Sequence, residues 1–313
     1  MNRLSRPGIN PTIAPLSGAT RDGQPLSYSR PPSPDLTPWI ARLYVSKVSA
    51  PADHVLSCGL FGDMPNIRMQ LKGDWSGDFP EGRWNVQDSS TLYFGPQSKR
   101  LPVSVRGPFA SAGVTFVPGA CNALCEVNVA NWVDRAVPLE TLGGNGNTWL
   151  SRIDPDGTPE DWCQAMENAV RQMVECSGGR EPDPVTRRFE WVAYSDPSIS
   201  VSAFAQDSGI EMRRLERIIR RDFGLTPKQV LRRARALDIA SHLRGVSDKA
   251  EDLALRYYDQ SHLIREFTHF FGMSPRQFVK DPQPLLTLGL ETRQLRRLEM
   301  IERLAPGDIR PWQ

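Results

Sequence analysis

One five-residue tag occurs twice in the chain, as Phe223-Gly-Leu-Thr-Pro227 and as Phe271-Gly-Met-Ser-Pro275. The copies lie about fifty residues apart, so the stretch from Ile199 to Phe278 reads as two related units. In the first, Val201-Ser-Ala-Phe-Ala-Gln-Asp-Ser-Gly209 is a short apolar-periodic segment closed by glycine, and the pattern restarts at Ile210. Ala205 leaves room for a crossing helix, and Gly209 suits the left-handed conformation that ends one. Leu215, Ile218, Ile219 and Phe223 then fall on one helical face, while Arg213, Arg214, Arg217, Arg220 and Arg221 occupy the remainder. In the second unit Asp259 is a candidate N-cap, Gln260, Ser261 and His262 form the first turn, and Arg265 follows one turn on. Leu263, Phe267 and Phe270 form its buried stripe. Both units read as helix-turn-helix pairs. A helix that buries one stripe and displays arginines suits the DNA major groove, because guanidinium binds phosphate and reads guanine edges.

The string Tyr258-Asp-Gln-Ser-His-Leu-Ile-Arg-Glu-Phe267, followed by Phe271-Gly-Met-Ser-Pro-Arg-Gln-Phe278, resembles the AraC family of bacterial transcription regulators. The likeness covers roughly Pro197 to Phe278. It implies two helix-turn-helix subdomains joined by a long helix, here about Pro227 to Leu243, with recognition helices in successive major-groove faces of one operator. Carried over by position, base contacts come from Arg213, Glu216 and Arg217 in the first unit. In the second they come from Gln260, Ser261, His262 and Arg265. RNA polymerase is a partner that the family implies, not one that any residue indicates. One departure stands out: Ser247-Asp-Lys-Ala-Glu-Asp-Leu-Ala-Leu-Arg256 places arginine where the family has glycine, and acids at usual core positions. Either two residues are missing at that turn or the helix packs in a shifted register.

Charge agrees with a nucleic-acid face. Residues 185–280 hold 17 Lys/Arg against 12 Asp/Glu, and between Arg213 and Arg235 the ratio is 9 to 2. The whole chain carries only +2, so the excess is local rather than general.

At 313 residues the chain has room for two cores. Residues 1–36 are rich in Pro, Ser, Gly and Arg, and read as an arm without fixed structure. Residues 37–150 read as a β-rich regulatory domain. Its strand candidates are Trp39–Val45, Asn66–Lys72, Thr91–Phe94, Leu101–Val105 and Ala110–Val117, with Gly/Pro/Asp turns between and a short helix at Pro118–Cys125. That spacing suggests a small antiparallel sheet or barrel. Tyr93-Phe-Gly-Pro-Gln-Ser98, Gly113-Val-Thr-Phe-Val-Pro-Gly119 and Val137-Pro-Leu-Glu-Thr-Leu142 are similar to cupin-like sensor domains found ahead of AraC-type modules. A helix (Trp162–Cys176) and a stiff Glu181-Pro-Asp-Pro184 hinge fill 151–184, and the DNA-binding domain spans 185–280. Residues 281–313 form a helical tail whose Leu295, Leu298, Ile301 and Leu304 draw a narrow seam. That seam suits docking on the chain itself or on a second copy. The expected fold class is therefore α+β multidomain: a β-rich, small-barrel or cupin-like domain, then an all-α double helix-turn-helix domain.

Other chemistry finds little footing. A cupin metal centre needs several histidines, and this region holds only His54, so no metal or cofactor is expected. Cys121 and Cys125 share a helical face, either as small core residues or as a thiol sensor. Trp39, Trp75, Trp84 and Trp132 would serve equally as the lining of a small-molecule effector pocket or as core. No paired carboxylates, phosphate loop or nucleophile elbow supports an enzyme. A DNA-binding half turned to protein interaction is the remaining alternative. With no run of about 20 apolar residues and no export signal, no membrane span is expected. Five cysteines in no pairing pattern suit a reducing cytoplasm.

Overall fold

The computed structural model describes residues 27–87, 89–246 and 260–302. Eight strands form one antiparallel sheet: β1 (Ser27–Arg30), β2 (Ile40–Val48), β3 (Val55–Leu60), β4 (Asn66–Phe79), β5 (Gly82–Gln87), β6 (Ser90–Phe94), β7 (Leu101–Phe116) and β8 (Ala136–Pro138). The path β1-β2-β7-β4-β6-β8 is open, with β3 on β7 and β5 on β4.

Two long central strands change partners halfway. β7 pairs with β3 through Arg106 and with β2 from Phe109, and β4 passes from β6 to β5 in the same region. The change falls at Gly73 (φ +104°) and Gly107 (φ +73°), both in the stretch where the β4–β7 ladder skips residues. Sequence patterning breaks β7 at Arg106-Gly-Pro108. The strand instead runs through, because Pro108 sits in the gap of both ladders, where no backbone N–H is needed.

The arm expected over 1–36 has fixed structure from Ser27 onward. Arg30 bonds Glu160 and Glu167 (2.8 Å each), and Ser33 donates its backbone N–H to Glu167 (2.7 Å). The acids belong to a helix assigned above to the linker. Helices α1 (Ala120–Cys125), α2 (Gly146–Leu150) and α3 (Pro159–Cys176) pack on the sheet. Trp162, Cys163, Met166 and Val170 of α3 share a core with Ile40, Leu43, Val114 and Phe116, so α3 belongs to the β-rich half.

Trp39 and Trp75 are buried core residues, and Trp84 and Trp132 pack against the same clusters. None of the four lines a described cavity, so the core reading of the tryptophans holds. Gly95 explains part of the Tyr93–Ser98 motif: a Cβ there would stand 1.8 Å from the Trp132 carbonyl oxygen.

The helical half comprises α4 (Pro184–Ser195), α5 (Val201–Asp207), α6 (Met212–Phe223), α7 (Pro227–Leu243), α8 (Gln260–Phe271), α9 (Pro275–Lys280) and α10 (Pro284–Glu302). The repeated tag is one mechanical joint used twice. Gly224 (φ +78°) and Gly272 (φ +70°) end α6 and α8 in the left-handed region. Thr226 and Ser274 then open α7 and α9 through capping boxes with Gln229 and Gln277, each with proline in the first turn. α7 is buried nearly all round, as a helix shared by several cores must be. Its first half packs with Phe189, Phe204, Leu215 and Phe223, its second with Phe267, Phe271 and Phe278. Asp259 and the irregular 247–256 run lie outside the described residues.

The tail also differs from its reading. α10 docks on its own chain, against β2, β3, α4 and α7, but with arginines inward. Arg293, Arg296 and Arg297 are buried, while Leu295 and Leu298 stay half-buried; Ile301 and Leu304 lie outside the described side chains. Inward arginines need acids, and these come from the β3–β4 connection, α4 and α7. Arg293 bonds Asp63 (3.0 Å) and Asp238 (2.6 Å), Arg296 bonds Glu190 (3.4 Å), and Glu299 pairs with Arg42 of β2.

The cysteines give a direct check. Cys58, Cys121 and Cys163 are buried, and burial pushes their thiols up to about 11, 12 and 12. Cys125 is exposed, though burial of its sulfur also raises its pKa; Cys176 is exposed too. A raised thiol is the opposite of an activated one. In the native protein an aromatic disulfide reagent should label two thiols quickly, Cys125 and Cys176, and all five in denaturant. Rapid labelling of four or five in native buffer would contradict the packing.

Candidate nucleic-acid interface

α6 is held from one side only. Leu215, Ile218, Ile219 and Phe223 are buried, and Phe189 of α4 meets Phe223 edge-to-face at 5.6 Å. Asp222, fully buried, accepts from Thr186 Oγ1 (2.5 Å), which ties α6 to α4. The C-terminal end of α6 rests on the β-rich half: a Cβ on Gly224 would lie 2.5 Å from Val133 Cγ2 and 3.1 Å from Pro96 Cγ.

The opposite face is open. Arg213, Arg214, Glu216, Arg217 and Arg220 are exposed, and among the described residues no ion pair engages the four arginines. Residues 213, 217 and 220 are spaced by four and three, so they share one ridge about 10 Å long, opposite the buried stripe. Arg221 departs from expectation. It is half-buried and directs Nε and Nη2 to Asp222 (2.6 and 2.7 Å), a pairing that raises its own pKa. Its charge is spent within the helix and is a poor phosphate contact.

The basic run is also shorter than the count suggests. Arg232 pairs with Glu266 of α8 (2.5 Å), and Arg235 donates to the Pro197 carbonyl (2.7 Å). Arg233 is 1% exposed and donates to the carbonyls of Gln97 (2.8 Å) and Asp63 (2.9 Å) in the β-rich half. These three hold the fold together. Of the nine basic residues from Arg213 to Arg235, the outward ones are Arg213, Arg214, Arg217, Arg220 and Lys228.

In the second unit, α8 exposes Ser261, His262 and Arg265, with Arg265 Nε donating to the Ser261 carbonyl (3.2 Å). Gln260 begins the helix, and its side chain lies outside the described ones. The buried face carries Phe267, Phe270 and Phe271, and Phe61 of the β-rich half reaches in against the last two, 6.2 and 5.2 Å between ring centres. Both α6 and α8 are therefore braced by the first half of the chain.

Residues 204–281 match a family model described as a helix-turn-helix domain, across both units and the helix between them. The C-terminal region is an AraC-type helix-turn-helix domain. Ahead of the AraC-type domain, residues 28–138 match a domain of unknown function (DUF6597), which takes in all eight strands but for the first residue of β1. No curated protein matches the chain. Among solved structures it is similar to an apo variant of ToxT from Vibrio cholerae, at 12% identity over 81% of this chain and 100% of that one, TM-score 0.45. An unsaturated-fatty-acid-bound ToxT from the same organism gives 12% identity over 76% and 94%, TM-score 0.43. The AraC-like transcriptional activator CuxR gives 15% identity over 68% and 86%, TM-score 0.30. Among the described residues no helix is long and apolar enough to cross a membrane.

Six buried arginines among the described residues escape a reading of sequence alone: Arg42, Arg68, Arg233, Arg293, Arg296 and Arg297. Isolated arginines in a strand or a helix carry no spacing that marks them as inward. The one available signal was the arginine content of α10, too high for an apolar docking stripe.

Proposed function

We propose that the chain is a sequence-specific DNA-binding transcription regulator whose β-rich half modulates the AraC-type domain, in response to a small molecule. The observation that carries this is the ridge Arg213–Arg217–Arg220, without an ion pair among the described residues and outward on a helix whose other face is locked into the core. Arginines at phosphates set register, and a few side chains per helix read bases. In this reading Arg213, Glu216 and Arg217 read base edges in one groove segment, and Gln260, Ser261, His262 and Arg265 read the next. Arg214 and Arg220 hold phosphates. RNA polymerase, and for some operators a second copy of the chain, are the proposed macromolecular partners.

The readers and positioners separate experimentally. Arg217→Ala should cost about 1–3 kcal/mol on the best site and relax preference at one base pair. Arg220→Ala should weaken every sequence alike and lower the slope of log affinity against log salt by about one. Arg221→Ala should act on stability instead, by leaving Asp222 buried beside a single donor. Gel shifts on matched and scrambled DNA decide it: the same sequence-independent loss from Arg217→Ala and Arg220→Ala would refute the division of roles.

A further inference from the structure

A cavity of about 150 Å³ lies where the sheet, α7 and α10 meet. Its walls are largely apolar, with Leu60, Phe61 and Phe94 from the first half, Leu237 from α7, and Leu285 and Leu288 from α10. Arg68 of β4 also lines it and is 7% exposed. The other cation on the wall, Arg293, is already matched by Asp63 and Asp238. Arg68 has no such match. Its one hydrogen bond among the described residues runs from Nη2 to Ser111 Oγ (3.2 Å), Nε has no partner, and no carboxylate pairs with it. The Trp75 ring, 4.3 Å from the guanidinium carbon, backs it. Tyr44 lines the same wall, and its hydroxyl lies 3.4 Å from Oδ1 of Asn66, which also lines it.

A buried cation without a counter-charge is costly, and an aromatic face offsets only part of that cost. Burial pulls the pKa of Arg68 down, as expected of a cation waiting for an anion. A cavity of this size admits about a benzene-sized body. We propose that it binds a small monocarboxylate with an apolar body of one ring or a short chain. The carboxylate accepts from the Arg68 guanidinium and the Tyr44 hydroxyl, and the apolar body rests on Leu60, Leu237, Leu285 and Leu288. This inference rests on the small-molecule reading above and gives it a site and a ligand class. Because α7 joins the two helix-turn-helix units and forms one wall, occupancy acts directly on the helix that spaces them.

The test uses the full chain with benzoate and hexanoate as probes, and with benzyl alcohol and hexanol as neutral counterparts, by calorimetric titration. The carboxylates should bind at least tenfold more tightly than the alcohols. Arg68→Met should abolish that preference. Should Arg68→Met fail to fold, Leu288→Trp, which fills the cavity from α10, should remove binding of acid and alcohol together. Equal affinity for acids and alcohols would overturn the proposal. So would no binding of any probe up to 10 mM, a concentration chosen to detect affinities of about 1 mM, or carboxylate binding unchanged in both variants. DNA affinity measured with and without benzoate separates the two claims. Benzoate bound with DNA affinity unchanged supports the site and overturns modulation. DNA bound selectively with no probe bound overturns the site and leaves the regulator standing.

Discussion

Arg293→Ala is expected to lower the stability of the chain by about 3–5 kcal/mol, the usual cost of removing one partner from a buried ion pair. The size follows from what is left behind. Asp238 is 4% exposed on α7 and Asp63 is largely buried on the β3–β4 connection, and Arg293 bonds both. Arg297, 3.7 Å from Asp238, supplies only part of the lost charge. Arg293→Lys should recover less than half of the loss, because Nε serves Asp63 while Nη1 serves Asp238, and one ammonium cannot hold that fork. Adding Asp238→Leu to Arg293→Met should restore part of the stability, since a well-packed apolar pair often replaces a buried ion pair at little cost. Urea melts of the three variants measure all of this. A loss below about 1 kcal/mol for Arg293→Ala would show that α10 does not fasten the two halves.

Phe267→Ala should also cost about 3–5 kcal/mol, but its damage should be local. Phe267 is fully buried, stacked on Phe271 at 4.3 Å and edge-on to Phe278 at 5.2 Å. These rings hold α8 and α9 on the second half of α7. The first unit relies on a separate cluster around Phe189, Leu215 and Phe223. DNA selected by the variant should therefore keep the base preferences set by α6 and lose those set by α8. Loss of all selectivity would mean that the two units do not stand on separate cores.

Local rules made much of the second half legible. α7 runs Pro227–Leu243, as the resemblance to the AraC family implies, and the buried stripe of α6 is the one its spacing draws. Caps and turns act over four residues, so their chemistry is visible in the chain itself. What stayed hidden depends on distant partners. Arg233 reaches carbonyls 136 and 170 residues away, so a local count of charges takes it for part of the DNA-facing surface. β7 looked like two strands because Gly107-Pro108 is a breaker in isolation. Only the simultaneous change of partners on both sides makes it harmless. In α10 the leucine seam was real in the sequence, yet acids from β3–β4, α4 and α7 drew the arginines inward. At the interface the same logic removed Arg221, whose partner Asp222 is adjacent in sequence but matters only because it is buried.

The central claim is that α6 and α8 read two successive stretches of one DNA site, and selection of bound DNA from a random-sequence pool tests it most directly. Run at low and near-physiological salt, the selection should yield a defined motif spanning two major-groove faces, with total binding falling steeply between the two salts. No enriched sequence at either salt would contradict the account.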